Sequence, residues 1–174
     1  MEQESAGAVR VRRAGEADAV GLYELSLSAI RVSAAHHYSE EQLRAWAGRR
    51  NVQGHTRMIR DTEVFVAEVD GSVAGFCSVA LHAVGSLEAG EVDQLFVHPE
   101  CGARGVARAL LATVAARARE AGLSALHTHA SWRAEPVFER MGYRRVEVES
   151  VDVDGVVLTR VRMRMPLGDV EDGA

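Results

Sequence analysis

Lysine is missing from this 174-residue chain: all 20 basic residues are arginine. The bias fits a GC-rich bacterial genome, and it lowers the information in any single arginine. Against 25 acidic residues the formal net charge is −5. A phosphate backbone needs a basic footprint, so nucleic acid is not an expected partner. Cysteine is scarce as well. Cys77 and Cys101 stand alone without CxxC or His-paired spacing, which argues against a disulfide framework or a structural zinc and fits a reducing cytoplasm. No apolar run approaches about 18 residues, so no membrane span is expected. The start MEQESAGAVR is acidic and lacks the apolar centre of a secretory signal.

What is present is a globular composition, 47% hydrophobic and 26% charged. The length suits a single domain over 1–174, with its core at about 9–167 and frayed ends. VRVRR (9–13) alternates like a strand. Residues 16–30 carry Val20, Leu22, Leu25 and Ile30 at helical spacing. Ser39-x-x-Gln42 is a capping box, so a second helix starts near Ser39 and carries Leu43 and Trp46. Residues 47–57 read as irregular surface or a short further helix. TEVFVAEVDGSVAGFCSVAL reads as two strands turning at Asp70-Gly71, and GEVDQLFV as the next strand. A long helix should run from about Gly105 to Ala121, with Gly122 past its end. ALHTHA is a short strand, and a helix around Pro136 stops at Gly142. RRVEVESV and VVLTRVRMRM form a hairpin at Asp154-Gly155. Strands 91–97 and 125–130, joined by the long helix, should be parallel neighbours. The fold class is α/β in the α+β sense: a mixed, mostly antiparallel sheet of about seven strands flanked by about four helices.

The stretch VDQLFVHPECGARGVARALL (92–111) joins a strand, a Gly/Ala loop and a helix start. Unpaired first-turn N–H groups and the helix dipole make that an anion site. Gly105 and Ala107 keep side chains away, and Arg104 or Arg108 can add a charge-assisted bond. The loop lacks the Lys-Ser/Thr ending of a P-loop and is not GxGxxG.

Together with the preceding antiparallel meander and the later PVFERMGY, this loop resembles the GCN5-related N-acetyltransferase (GNAT) family, and within it a YafP-like bacterial branch. The family's loop pattern, Gln/Arg-x-x-Gly-x-Gly/Ala, falls on Gly102-Ala103-Arg104-Gly105-Val106-Ala107, and its Tyr-x-x-x-Gly-Phe on Phe138 to Tyr143. The resemblance implies acetyl-CoA as co-substrate and no metal. The pantetheine arm would enter between splayed strands 91–97 and 125–130, against the peptide groups of Leu95, Phe96 and Val97. The pyrophosphate would sit on the loop of Gly102 to Ala107, with Arg108 and Phe138 also on the cofactor side. It implies direct acyl transfer in the cytoplasm to an amine of a small molecule, the alternatives being a protein N-acetyltransferase or a catalytically weak acetyl-CoA-binding sensor or partner module.

An ammonium must lose a proton before it attacks a thioester. Glu91 falls where the family places such a base, and Asp93 shares its strand face by alternation. Asp93 lies inside an apolar strand, where a lone carboxylate is costly, so a partner or cavity is expected. Phe138 stands where the family has a Tyr that protonates the leaving thiolate. Tyr143, His127, His129, Tyr38 or water remain open for that role. His37, Tyr38, Trp46 and His129 are acceptor-side candidates. Neither cysteine has a base partner, so a Cys nucleophile is not expected. The C-terminal hairpin could pair across a homodimer.

Overall fold

The computed structural model describes residues 7–168. The outermost ends read above as frayed, 1–6 and 169–174, lie outside the described residues. Seven strands form one sheet: β1 (Arg10–Arg13), β2 (Glu63–Val69), β3 (Ser72–Ala80), β4 (Glu91–Val97), β5 (Ala125–Ala130), β6 (Arg144–Val153) and β7 (Val156–Pro166). Their order is β1-β2-β3-β4-β5-β7-β6, antiparallel throughout except for the parallel β4–β5 pair. Both hairpins turn at Asp-Gly with positive φ at the two central residues, 53° and 79° at Asp70-Gly71 and 54° and 83° at Asp154-Gly155. That geometry twists in the same sense as the flanking strands and fixes their register.

Five α-helices lie among the described residues: α1 (Ala19–Ser28), α2 (Glu40–Gly48), α3 (Val52–Asp61), α4 (Val106–Glu120) and α5 (Glu135–Arg140). The segment left between surface and short helix is α3, capped by the Asn51 side chain accepting from Gly54 N–H at 2.7 Å. In α1, Leu22 and Leu25 are buried as expected, but Val20 is 52% exposed. Two residues turn a helix by about 200°, so Val20 and Leu22 face opposite ways. Past α1 the chain widens into a π-turn, Ala29–Ser33, that buries Ala29 and Ile30. The capping box opens α2: Ser39 Oγ accepts from Gln42 N–H at 3.2 Å, and Gln42 Oε1 from Ser39 N–H at 2.9 Å.

One face of the sheet packs on α4 and α5 through Leu110, Val114, Leu126 and Phe138. The other packs on α1 to α3 through Leu22, Ile30, Met58 and Phe76. Between these layers the sheet opens. Gly90, at φ 86°, brings the start of β4 so close to β5 that a Cβ there would lie 2.6 Å from the Ala125 carbonyl oxygen. Parallel pairing then covers only Glu91↔His127 and Val92↔Thr128. On the other side the β3 register shifts between Ser78 and Val79, leaving Asp93 as an extra residue in β4. Ser78 Oγ takes up the displaced Gln94 N–H at 3.1 Å. A bulge bends the strand that carries it, so beyond Val92 the two strands diverge.

Candidate active site

The Gly/Ala loop before α4 has the backbone that its composition suggests. Ala103 and Gly105 both have positive φ, 63° and 78°, and Gly105 is the left-handed N-cap of α4. A Cβ at Gly105 would touch nothing in the protein, so glycine is required by backbone conformation alone. The first hydrogen bond of the helix is Ala109 N–H to the Gly105 carbonyl at 3.0 Å. The N–H groups of Val106, Ala107 and Arg108 precede it and point out of the helix end. Arg104 bonds Asp70 at 3.2 Å and braces the loop against the β2–β3 turn. Arg108 is exposed on the first turn.

Along β4 from this loop runs a channel of about 110 Å³ that reaches from Gly102 to Leu95 and Phe96. It shares Trp46, Leu95, Phe96, Ser131 and Ala134 with a second cavity of about 280 Å³ set between the diverging strands. That inner cleft is closed by α2, α5 and the β6–β7 hairpin, and both Glu91 and Asp93 line it. Tyr38 forms one wall. Its hydroxyl accepts from Trp132 N–H at 3.0 Å and donates to the Thr159 carbonyl at 3.1 Å. Burial pushes its pKa up, partly offset by the Trp132 bond. Trp46 meets Tyr38 edge-on at 5.6 Å and tilts against Phe96 at 6.1 Å.

Glu91 is buried, with one oxygen accepting from Glu88 N–H at 3.0 Å. His127 Nε2 lies 3.8 Å from one of its oxygens and His129 Nε2 3.9 Å from the other. Asp93 lines the cleft but keeps solvent access, while the surrounding walls strip part of its hydration. Its pKa is raised, first by that desolvation and then by Glu91, against smaller opposing effects of Gln94, Arg50 and His129. Arg50 offsets the Asp93 charge through space, without a direct ion pair. It donates to Gln94 Oε1 at 3.0 Å and lies 4.7 Å over the Phe96 ring. Burial lowers its pKa to about 10, with Asp93 opposing.

Most residues singled out from the sequence thus converge. Glu91, Asp93, Leu95, Phe96, Tyr38, Trp46, His129 and Phe138 line the inner cleft, and Val97 and Gly102 the channel. Among the acid and acceptor candidates three, His37, His127 and Tyr143, do not join them, and the loop residues 103–108 lie past the channel's end. His37 is exposed and outside both spaces. Tyr143 is fully buried, its ring edge-on to Phe138 at 4.9 Å, and its hydroxyl has no hydrogen-bond partner. Burial pushes that hydroxyl's pKa up. Sequence reasoning missed Arg50: the signal was Asp93, and the abundance of arginine hid the answer.

A strand bulge beside a divergent parallel pair, ending at a left-handed helix cap, is a distinctive combination. Residues 34–166 match the family model of the acetyltransferase (GNAT) domain. The chain belongs to the GCN5-related N-acetyltransferase family. It is 31% identical over 156 residues to the uncharacterized N-acetyltransferase YafP of Escherichia coli K12, covering 90% of this chain and 95% of that protein. A GCN5-related N-acetyltransferase from Rhodopseudomonas palustris superposes with a TM-score of 0.82 at 24% identity, over 95% of this chain and 99% of the other. PaiA N-acetyltransferase from Thermoplasma acidophilum, solved with coenzyme A, gives 0.71 at 17% identity, over 91% and 99%. This GNAT chain is therefore an N-acetyltransferase that uses acetyl-CoA.

Proposed function

We propose that the enzyme transfers the acetyl group directly to a primary amine of a small molecule, with Glu91 receiving the amine's proton. The observation that carries this reading is the buried Glu91 at the inner end of a cavity that continues along β4 to Gly102, at the start of the loop leading into α4. The residues fit acetyl-CoA. Beyond Val92 the β5-facing edge of β4 has no strand partner among the described residues, so peptide groups of Leu95, Phe96 and Val97 are available to the pantetheine arm. The loop from Gly102 to Ala107 would hold the pyrophosphate through backbone N–H groups, with Arg108 adding charge. When bound, acetyl-CoA supplies an activated thioester.

The chain's own residues do the rest. An alkyl amine of pKa near 10 is neutral in only about one molecule per thousand at pH 7. Glu91 therefore has to accept a proton as the amine enters, while the cleft walls exclude water. Tyr38, Trp46 and Phe96 present an apolar aromatic wall that suits a flat amine body. Cys77 is fully buried, and burial pushes its thiol pKa up. This supports direct transfer over a cysteine acyl-enzyme. A thiol of pKa near 8.5 leaves without an obligatory acid at neutral pH, so Phe138 slows the reaction and does not forbid it. The edge position of β6, with Val146 and Val148 half exposed, supports the homodimer.

Purified protein with acetyl-CoA and a panel of small amines tests the proposal: amine-dependent CoA release and intersecting initial-rate lines are expected. Tight acetyl-CoA binding with no CoA release across the panel refutes it. A second reading, an acetyl-CoA-binding sensor with weak chemistry, is favoured by one observation. The position that would carry a phenol at the cleft wall is Phe138.

A further inference from the structure

Outside the inner cleft lies a third cavity, of about 590 Å³ and strongly polar, bordered by Glu88, His127, Arg162 and Arg164. It shares Glu91, Asp93, His129 and Arg160 with the inner cleft. Those four side chains are the wall between the two spaces. Any group that changes protonation there can face the amine on one side and water on the other.

His129 is fixed in that wall. Its Nδ1 lies 3.0 Å from Glu149 Oε2, and Arg160 Nε donates to the same oxygen at 2.9 Å. An ionised carboxylate only accepts, so the ring must carry its proton on Nδ1. In the neutral ring Nε2 then presents a lone pair 3.9 Å from Glu91 Oε1, a gap that one water or a small side-chain approach closes for proton transfer. His127 is not equivalent. It approaches the other Glu91 oxygen at 3.8 Å, but it has no carboxylate at Nδ1 and does not line the inner cleft.

We propose that Glu91 hands the amine's proton to His129 Nε2, and that His129, oriented by Glu149, carries it out of the cleft into the outer cavity. The inference rests on the amine-transfer reading for its direction. The proton leaves the ammonium nitrogen for a Glu91 oxygen and passes to His129 Nε2, making an imidazolium. It is then released to water in the outer cavity, which restores the neutral ring. The freed nitrogen lone pair forms the C–N bond at the thioester carbonyl while the C–S bond breaks and its electrons leave with sulfur, which takes up the second proton that the new amide nitrogen sheds. Glu149 is a positioning residue, since it acts only through His129.

Long-range proton–nitrogen NMR of the full chain with isotope-labelled histidine tests the wall without any amine. A neutral His129 ring protonated at Nδ1 is expected, becoming a tautomer mixture in Glu149→Ala but not in Glu149→Gln, whose carbonyl still accepts. Its signals should also move in Glu91→Gln. With phenethylamine as acceptor, His129→Gln should lower kcat/KM about 100-fold without changing the KM for acetyl-CoA. Added imidazole should restore part of the rate of His129→Ala. A neutral His129 protonated at Nε2, or a His129→Gln rate within about threefold of the parent, would overturn the proposal. If the parent does not acetylate phenethylamine, that reading of the acceptor fails by itself, and the ring spectra decide the wall.

Discussion

Asp93 is held in the cleft against its own electrostatics. Desolvation and the neighbouring Glu91 favour its protonated form in the folded protein. A carboxyl group with a raised folded pKa contributes stability that is present at low pH and is lost as pH rises through that pKa. Asp93→Asn, which mimics the protonated state, should therefore raise Tm at neutral pH. That advantage should shrink as pH falls below the ordinary aspartate range, as thermal melts across pH would show. Phe138→Tyr addresses the acid end of the reaction. On the transfer reading kcat rises less than about tenfold; on the sensor reading the new phenol gives a sharp gain. The carboxylates could be read from sequence because a charge within an apolar strand demands an explanation. Arg50 could not, since its place depends on the α2–α3 corner folding back over Phe96. Tyr143 looked available for chemistry, yet its side chain turns inward behind Phe138.

Two backbone devices open the site between β4 and β5. Gly90 pins the strands together at one end, and the bulge at Asp93 bends β4 away at the other. Gly90→Ala combines a left-handed φ with a backbone clash at 2.6 Å. It should cost about 3 kcal/mol, lowering Tm by about 6–12 °C, and should weaken CoA binding as the strands shift. Calorimetry on the variant checks both. The Asp-Gly hairpins and the capping box were legible because each is a local device with its own residue signature. The bulge was not, since it is a property of β3 and β4 together and Ser78, which completes it, is an ordinary serine in sequence. Val20 was misplaced because apolar character alone does not say which helix face meets the sheet.

Across the whole molecule, the site is assembled from every part of the sheet's open half: α2, β4, β5, α5 and the β6–β7 hairpin. A ligand bridging these elements stabilises the folded state by mass action. CoA at about 100 times its Kd should add about 2.7 kcal/mol and raise Tm by about 5–10 °C. Scanning calorimetry with and without CoA measures it. The sheet class and the parallel pair followed from strand order and the long crossover helix, because few topologies satisfy both. The acceptor does not follow in the same way, because the inner cleft is lined by residues far apart in the chain. The most direct measurement is amine-dependent CoA release by the parent enzyme and Glu91→Gln at equal CoA occupancy. A loss of about 100-fold or more in kcat/KM for the amine, with CoA affinity unchanged, is the expected result. Equal rates in the two proteins would contradict the assignment of Glu91 as the group that receives the amine's proton.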